Sequence, residues 1–510
     1  MKTISDLIER NALCYPDKCA VALDGGRRLS YREFAQRVRL LASALYKLGL
    51  RQQDRVGCLS MNSLEYVELY GACEWAGYIA AAYNFRSAAP EVAFLLADSQ
   101  PKVVFFESQY APMLAALRAD FPEIQHYVCM DAPAPQWAIS FEDLVAGGDP
   151  QGPPFRAQPQ DYTYLFYTSG TTGRPKGVPW SQRGALDVAR LCGRLFDTDI
   201  TYLQTTPLFH TGGKTNPLGA MWLAGTTIVQ RRFDPAGFLK VVEHERVTDT
   251  FMVAQMIQAV LDVPAFPRYD LSSLRGVVSA AAPIPLPLLR RALEAFGPAF
   301  YMQYGSTEGA CISQLSRHEL RPDGSTREVE RLRSVGHFLP ELEGAILNEE
   351  LEPCAAGVVG EVCLKSIVFE GYWNNTIATL EATRGGWFHS GDLGYADDEG
   401  FIFLVDRIKD MIISGGENIY SREVEEALAL HAGVLETAVI GVPDEKWGEA
   451  VKALVVLRSG HAATEGELIE HCRSQIARYK CPRSIAFVEA LPRLGTGKID
   501  KVGIRRQHSA

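Results

Sequence analysis

The stretch Tyr167-Thr168-Ser169-Gly170-Thr171-Thr172-Gly173-Arg174-Pro175-Lys176-Gly177-Val178 packs three glycines, four Ser/Thr hydroxyls and two cations into twelve residues. The glycines let the backbone curl, and consecutive N–H groups in such a curl form a nest for an anion. Hydroxyls and cations beside the nest suit the phosphates of a nucleotide. The string is not a Walker A loop: GxxxxGK[ST] does not match, and Pro175 stands before Lys176. Other strings carry residue types that could do chemistry. Glu308 follows Thr307 in a short polar run, Asp392 closes Ser390-Gly391-Asp392, and Lys498 lies in the glycine-rich run Gly495-Thr496-Gly497-Lys498.

The elements that must position these residues read as alternating strands and helices. Phe34, Val38, Leu41, Ala42 and Leu45 repeat at helical spacing within residues 30–48. Residues 55–59 and 102–106 read as short buried strands, and this alternation predicts a largely parallel sheet. Residues 131–160, rich in Pro and Gly, read as a surface connection. A strand is expected over 161–168, leading into the phosphate loop, with further α/β units to about residue 316. Residues 317–333 read as a polar loop with a turn at Pro322–Gly324. Residues 335–405 read as strands and turns, with a hairpin turn at Asp397–Gly400. Beyond Arg407, helices are expected over 423–430, with Ser421 as cap, and over 465–479, with Thr464 as cap. Strands are expected over 436–442, 450–457 and 485–488.

Composition bounds the reading. The 510 residues are 47% hydrophobic and 22% charged, which excludes a disordered or fibrous chain. A net charge of −10 without a basic run gives no footprint for nucleic acid. No stretch reaches the ~20 apolar residues of a spanning helix. The first ten residues lack a secretory signal's apolar core. The eleven scattered cysteines show no metal spacing, so reduced thiols and a cytoplasmic location are expected.

The phosphate string resembles that of the adenylate-forming enzymes: acyl- and aryl-CoA synthetases, peptide-synthetase adenylation domains and beetle luciferases. The resemblance extends in order through 207–213 (Pro-Leu-Phe-His-Thr-Gly-Gly), 301–308 (Tyr-Met-Gln-Tyr-Gly-Ser-Thr-Glu), 386–392 (Gly-Trp-Phe-His-Ser-Gly-Asp), 406–410, 414–420 and 492–498. It implies an α/β fold with a large N-terminal domain of several sub-domains, residues 1–405, built on mostly parallel sheets. A small mobile α+β domain, residues 406–510, would hinge near Lys409. The implied reaction needs ATP and Mg²⁺: a carboxylate attacks the α-phosphorus to give acyl-AMP and pyrophosphate, and the thiol of coenzyme A then displaces AMP.

The same resemblance assigns residues. Thr168, Ser169, Gly170, Thr171, Thr172, Gly173 and Lys176 would hold the phosphates, with Thr172 and Glu308 on Mg²⁺. Thr307 would donate to the α-phosphate. Tyr304 would stack on adenine, with Gln303, Gly305 and Ser306 beside it and Ala281, Ala282 and Pro283 as the opposite wall. Relatives often have glycines where this chain has Ala280-Ala281-Ala282. Asp392 and Arg407 would hold the ribose hydroxyls. Lys498 would bridge carboxylate and α-phosphate. Gly415, Gly416 and Glu417 would line the coenzyme A channel after domain rotation.

The acid pocket would be walled by His210, Thr211, Gly212, Gly213, Lys214, Met302, Gly309, Ala310 and Cys311, with His210 beside the reacting carboxylate. Lys214 is unusual; pointing inward it would disfavour a long alkyl chain, because a buried ammonium needs a partner. Gln182 stands where a histidine is common. The sequence ends twelve residues after Lys498, without a carrier domain, and on that free coenzyme A is the expected acceptor. An amide ligase, with an amine attacking the adenylate, shares the whole ATP site and stays open. A non-catalytic nucleotide-binding member is the remote third reading. A small-molecule acid is the expected partner, with a homodimer allowed.

Overall fold

The computed structural model describes residues 1–168, 175–281, 284–494 and 498–508. Two large sheets carry the N-terminal part. The first runs in the order Ile139–Ser140, His126–Cys129, Val103–Phe106, Arg55–Leu59, Ile79–Tyr83, Tyr162–Thr168, Lys176–Ser181, and only the last pair is antiparallel. The second has nine strands. Its parallel centre, from Phe300–Ser306 through Gly276–Ser279, Asp249–Met252, Thr201–Gln204 and Thr226–Val229 to Cys19–Leu23, is flanked by antiparallel edges.

An antiparallel four-stranded sheet follows, in the order Gly344–Leu347, Gly360–Leu364, Phe388–Ala396, Ile402–Arg407. The C-terminal sheet pairs Glu417–Ile419, Ile412–Ser414, Gly448–Leu457 and Val434–Asp444, with Ser484–Phe487 added in parallel. Parallel strands buried on both faces should read as continuous apolar runs. Val103–Phe106 is Val-Val-Phe-Phe and fully buried.

Local sequence explains several boundaries. The helix Tyr31–Lys47 starts at Ser30, whose hydroxyl accepts the Glu33 N–H while the Glu33 carboxylate accepts the Ser30 N–H. Thr464 and Glu467 cap Glu465–Gln475 in the same way. That helix stops before the expected residue 479, and a separate 3₁₀ turn covers Arg478–Lys480.

Ser421 is not the cap expected of it. The helix Ser421–Ala429 begins at Ser421 itself, whose N–H and hydroxyl both donate to the Asp406 carboxylate. The anion at this helix start therefore comes from fifteen residues upstream. The expected connection over 131–160 holds a strand, Ile139–Ser140, and a helix, Phe141–Ala146, because Phe141, Leu144 and Val145 bury one face. The polar run 317–333 holds the helix Thr326–Arg331, set by a Ser325/Glu328 capping box with no apolar stripe to announce it. Asn375 caps a further helix, Thr376–Ala382, within the region expected to be strands and turns.

Ser30→Ala removes one half of a capping box and should lower unfolding stability by about 1 kcal/mol, read from urea denaturation with an unchanged slope.

Candidate active site

Several of the chemistry-bearing strings sit where a strand ends, while Asp392 lies within the strand Phe388–Ala396. The phosphate string closes the hairpin between Tyr162–Thr168 and Lys176–Ser181, with Thr168 paired directly to Lys176. Ser169, Gly170, Thr171, Thr172 and Gly173 lie outside the described residues, as do Ala282 and Pro283. Ala281 is described and adopts φ 69°, a left-handed conformation that costs a residue bearing a Cβ more than it costs glycine.

Thr307 and Glu308 form the turn between Phe300–Ser306 and Ala310–Leu315. Ser306 Oγ accepts the Gly309 N–H at 2.9 Å and tightens that turn. Gly305 is required there, since a Cβ on it would lie 2.0 Å from the Ala310 carbonyl oxygen. The Trp180 indole N–H donates to the Thr307 carbonyl at 2.9 Å, and the Ser366 hydroxyl to the Glu308 carbonyl at 2.6 Å. Tyr372 donates its hydroxyl to Glu308 Oε1 at 2.9 Å. Gln303 bonds Gln314 across the same strand pair.

Asp392 and Arg407 are direct partners across an antiparallel pair. Arg407 Nε lies 2.9 Å from Asp392 Oδ1, and the Tyr304 hydroxyl donates to Oδ2 at 2.6 Å. Asp392 raises the Arg407 guanidinium above its usual value, and burial raises the Tyr304 hydroxyl beside the same carboxylate.

The bulged stretch of strand that carries Asp392 is held from behind. Glu361 accepts His389 Nδ1–H at 2.6 Å with one oxygen and the Gly391 N–H at 2.9 Å with the other, and His389 Nε2 bonds the Arg384 carbonyl. Cys363 lies near His389, but burial pushes its thiol up to about 12, which disfavours the thiolate a metal needs. With both histidine nitrogens committed, this trio holds the strand segment around Asp392 in place.

Lys498 joins the group from the far end of the chain. Burial lowers its ammonium from the usual lysine range, and it feels the charges of Arg407, Asp392, Glu308 and Lys409. His210 lies near it. Burial, with the charges of Lys498 and Arg86, drops the His210 imidazole to about 4. His210, Glu308, Asp392, Arg407 and Lys498, scattered over 289 positions of sequence, thus share one electrostatic neighbourhood.

Around His210 the residues part ways. Thr211–Gly213 forms a 3₁₀ turn, and a Cβ on Gly213 would meet the Pro207 carbonyl oxygen at 2.1 Å. Met302 packs in the core of the nine-stranded sheet, whereas Ala310 and Cys311 pack in the core shared with the first sheet. The Lys214 ammonium is buried and lies 2.5 Å from Glu74 Oε1, which also accepts the Tyr164 hydroxyl. The rings of Tyr70 and Tyr164 face the same ammonium at 4.7 and 5.3 Å. The partner that a buried ammonium requires is therefore supplied by the protein. Gln182 braces this spot: its amide donates to the Glu74 carbonyl at 2.8 Å and its oxygen accepts the Ile4 N–H at 3.0 Å.

Gly415 and Gly416 turn a different hairpin, in the C-terminal sheet, with Glu417 exposed beside them. Both glycines have positive φ, and a Cβ on Gly415 would press on Trp447 at 2.5 Å. Lys409 follows Arg407 on the segment joining the two smaller sheets. Burial lowers its ammonium, and the Arg505 guanidinium donates to its carbonyl at 3.1 Å. Sequence reasoning missed Tyr372, Ser366, Glu361 and Glu74. The aromatic pair Tyr372-Trp373 after a glycine was the one visible hint of the first.

Comparison with known proteins agrees with this geometry. A family described as AMP-binding enzyme matches residues 8–373, and one described as AMP-binding enzyme C-terminal domain matches 423–498. The chain is 38% identical to a feruloyl-CoA synthase of Amycolatopsis sp, covering 98% of this chain and 97% of that one. It is 34% identical to an indoleacetate–CoA ligase of Aromatoleum aromaticum, covering 99% and 98%. Among solved structures, the amide bond synthetase McbA from Marinactinospora thermotolerans superposes with a TM-score of 0.88 at 29% identity, covering 99% of each chain.

Two predictions follow from the charges. Lys214→Met leaves the Glu74 carboxylate buried and unpaired, and should cost about 3–5 kcal/mol of unfolding stability; the double replacement Lys214→Met/Glu74→Leu should cost clearly less. Chemical denaturation of the three proteins checks this. His210 should stay neutral through the physiological range, titrating near 4 by NMR. Since the unfolded histidine takes its proton near 6.5, the unfolded state binds more protons between these values. Stability from this group is complete above 6.5 and falls as pH drops toward 4. His210→Gln should flatten that part of the stability–pH curve.

Proposed function

We propose how this chain, which belongs to the AMP-binding enzyme family, divides the work of joining a carboxylic acid to coenzyme A. It is an AMP-forming acyl- or aryl-CoA ligase, an activity supported by full-length relatives that are CoA ligases. The observation that supports the division of labour is that Lys498 feels the charges of Glu308, Asp392 and Arg407, and His210 feels that of Lys498.

In the first half-reaction a carboxylate oxygen attacks the α-phosphorus of ATP and pyrophosphate leaves. The obstacle is repulsion between two anions, so fixed positive charge must meet the charge that develops. Lys498 holds the substrate carboxylate against the α-phosphate. Thr307 donates to that phosphate, and Lys176 serves the outer phosphates with the loop 168–173. Asp392 accepts from the ribose hydroxyls and Arg407 holds Asp392. Tyr304 offers its ring to adenine while its hydroxyl stays on Asp392. His210, held neutral, adds no charge of its own beside the carboxylate and can donate or accept one hydrogen bond there.

Glu308 would hold Mg²⁺ together with Thr172. The residue present fits a hard cation: a carboxylate beside the cleft with one oxygen already oriented by Tyr372. Bound there, the ion supplies neutralisation for the outer phosphates.

In the second half-reaction the thiol of coenzyme A attacks the acyl carbonyl and AMP leaves. Lys498 cannot stay in place while the thiol enters. We assign the mobile unit to the residues beyond Arg407 rather than from 406, because Asp406 and Arg407 pair with Leu393 and Asp392 in the third sheet. Rotation near Lys409 then brings Gly415 and Gly416 to the thiol's path. The Asp406–Ser421 contact ties the end of the third sheet to the first C-terminal helix, so the hinge must turn about or release it. The setting is read as cytoplasmic, supported by thiols that are free and mostly buried.

The acid is read as aromatic, supported by the feruloyl-CoA synthase and indoleacetate–CoA ligase relatives. A long-chain fatty acid is the competing class, because a long-chain-fatty-acid–CoA ligase is as similar as the second of these, at 34%. Lys214 gives no further hint, because Glu74 already occupies it. A second reading, amide ligation, is favoured by the amide bond synthetase among the structural neighbours.

An acid panel with ATP and Mg²⁺, run with coenzyme A or with amino acids and read by mass spectrometry, separates the two. Acyl-CoA is expected; an acyl-amino acid without acyl-CoA would overturn the acceptor. Lys498→Ala should lower acid-dependent pyrophosphate exchange by about 10²-fold or more. Conversion of a supplied acyl-AMP to thioester should remain within a fewfold of wild type, and equal loss in both steps would sink the role given to Lys498.

A further inference from the structure

The segment from Ser366 to Trp373 touches both elements that the proposed reaction asks to handle phosphate and metal. At one end, the Ser366 hydroxyl holds the Glu308 carbonyl. At the other, the Trp373 N–H donates to the Gly177 carbonyl at 2.8 Å, one residue past Lys176. Gly177 must be a glycine at this crossing, since a Cβ would lie 2.9 Å from Trp373 Cβ. Tyr372 sits between the two anchors. Its hydroxyl donates to Glu308 Oε1 at 2.9 Å, and the Lys176 ammonium faces its ring at 4.7 Å from the centroid.

We propose that Tyr372 is a positioning residue that keeps Lys176 and Glu308 apart while aiming both, so that one serves phosphate and the other a divalent cation. The inference rests on the reading of Lys176 and Glu308 given above.

The physical problem is specific. A lysine and a glutamate beside the same cleft attract one another, and a direct ion pair would spend the charge that phosphate and metal each need. Among the described residues no ion pair joins Lys176 to Glu308. The tyrosine ring hosts the ammonium through its quadrupole, which attracts the cation without neutralising it. Its hydroxyl fixes one carboxylate oxygen and leaves Oε2 for a hard cation. The pairing of a cation with the ring and a carboxylate with the hydroxyl uses both ends of one side chain.

The position of Tyr372 is itself over-determined. Its N–H donates to Thr379 Oγ1 at 2.8 Å, and the Phe369 ring packs edge-on against it at 4.8 Å. Gly371, with φ 136°, turns the chain to present the ring; a Cβ there would strike Thr379 Cγ2 at 2.8 Å.

Two substitutions separate the two ends. Tyr372→Phe keeps the ring under Lys176 and removes the hydroxyl from Glu308. Tyr372→Leu removes both. The probes are Mn²⁺ with ATP, titrated by electron paramagnetic resonance, metal-dependent pyrophosphate exchange, and thioester formation from a supplied acyl-AMP. Tyr372→Phe should weaken Mn²⁺ binding in the presence of ATP by about tenfold and raise the metal concentration for half-maximal exchange equally. Its exchange rate at saturating metal should stay within about threefold of wild type, because Lys176 keeps its seat. Tyr372→Leu should also raise the KM for ATP by about tenfold and lose rate at saturating metal. Thioester formation should be unchanged in both.

Wild-type metal affinity in Tyr372→Phe overturns the proposal. So does equal loss in both half-reactions, which marks a merely structural role. If the wild type shows no acid-dependent exchange with any acid, the ligase reading fails instead, and Mn²⁺–ATP binding by the two variants still decides the role of Tyr372.

Discussion

Opposite charges must be kept close together without cancelling. In the proposed reaction a carboxylate approaches a triphosphate, so the cleft needs cations for the phosphates and carboxylates for the metal and the ribose. At Lys176 and Glu308 the structure handles this with an aromatic side chain as intermediary, whereas Asp392 and Arg407 pair directly at 2.9 Å. Tyr372 stands between Lys176 and Glu308. Tyr304 gives its hydroxyl to Asp392, which in turn takes Arg407. A phenol can donate to a carboxylate and carry a π face at once, so it orders charged neighbours without adding charge to the site.

The buried pair Lys214–Glu74 obeys the opposite logic. Here cation and anion do meet, at 2.5 Å and out of water, under two tyrosine rings. Such a pair contributes little net stability but fixes geometry, because neither partner tolerates losing the other. It joins the helix Leu64–Ala76 to the residue that opens the helix Thr215–Trp222, four positions beyond His210. Gln182 then ties the same glutamate to the N-terminal helix. The loop that presents His210 is thereby anchored to the first sheet's surroundings.

The contrast between these two arrangements locates rigidity and motion. The N-terminal site is pinned by side-chain bonds to backbone: Trp180 on Thr307, Ser366 on Glu308, Glu361 on Gly391. Among the bonds described, no side chain holds the Lys498 backbone, whereas the Arg505 guanidinium holds the Lys409 carbonyl on the segment proposed as the hinge. A lysine at an exposed bend is one that a domain can withdraw, which suits a lysine proposed to serve only the first half-reaction.

Much of the site was legible in the sequence because it is local. The turn closing on Thr307-Glu308 and the positive-φ glycine pair Gly415-Gly416 follow from backbone requirements within a few residues. The strands and the Thr464 cap were legible for the same reason, since apolar runs and capping boxes are short-range signals; Ser421, also expected as a cap, instead opens its helix on the distant Asp406. The helix Thr326–Arg331 escaped because a fully polar helix has no periodicity to read.

What only the tertiary structure decided are the partners of charged groups. Tyr372 reaches Glu308 across 64 positions, Tyr304 reaches Asp392 across 88, and Tyr164 reaches Glu74 across 90. Lys214 in the sequence is an ammonium that, if buried, needs a counter-charge; that the counter-charge is Glu74, rather than a substrate, follows from how the strand Tyr162–Thr168 and the helix Leu64–Ala76 pack. Sequence spacing sets which groups can share a turn or a face. Which charge neutralises which is set by packing between elements, where burial makes an unpaired ion too costly to keep.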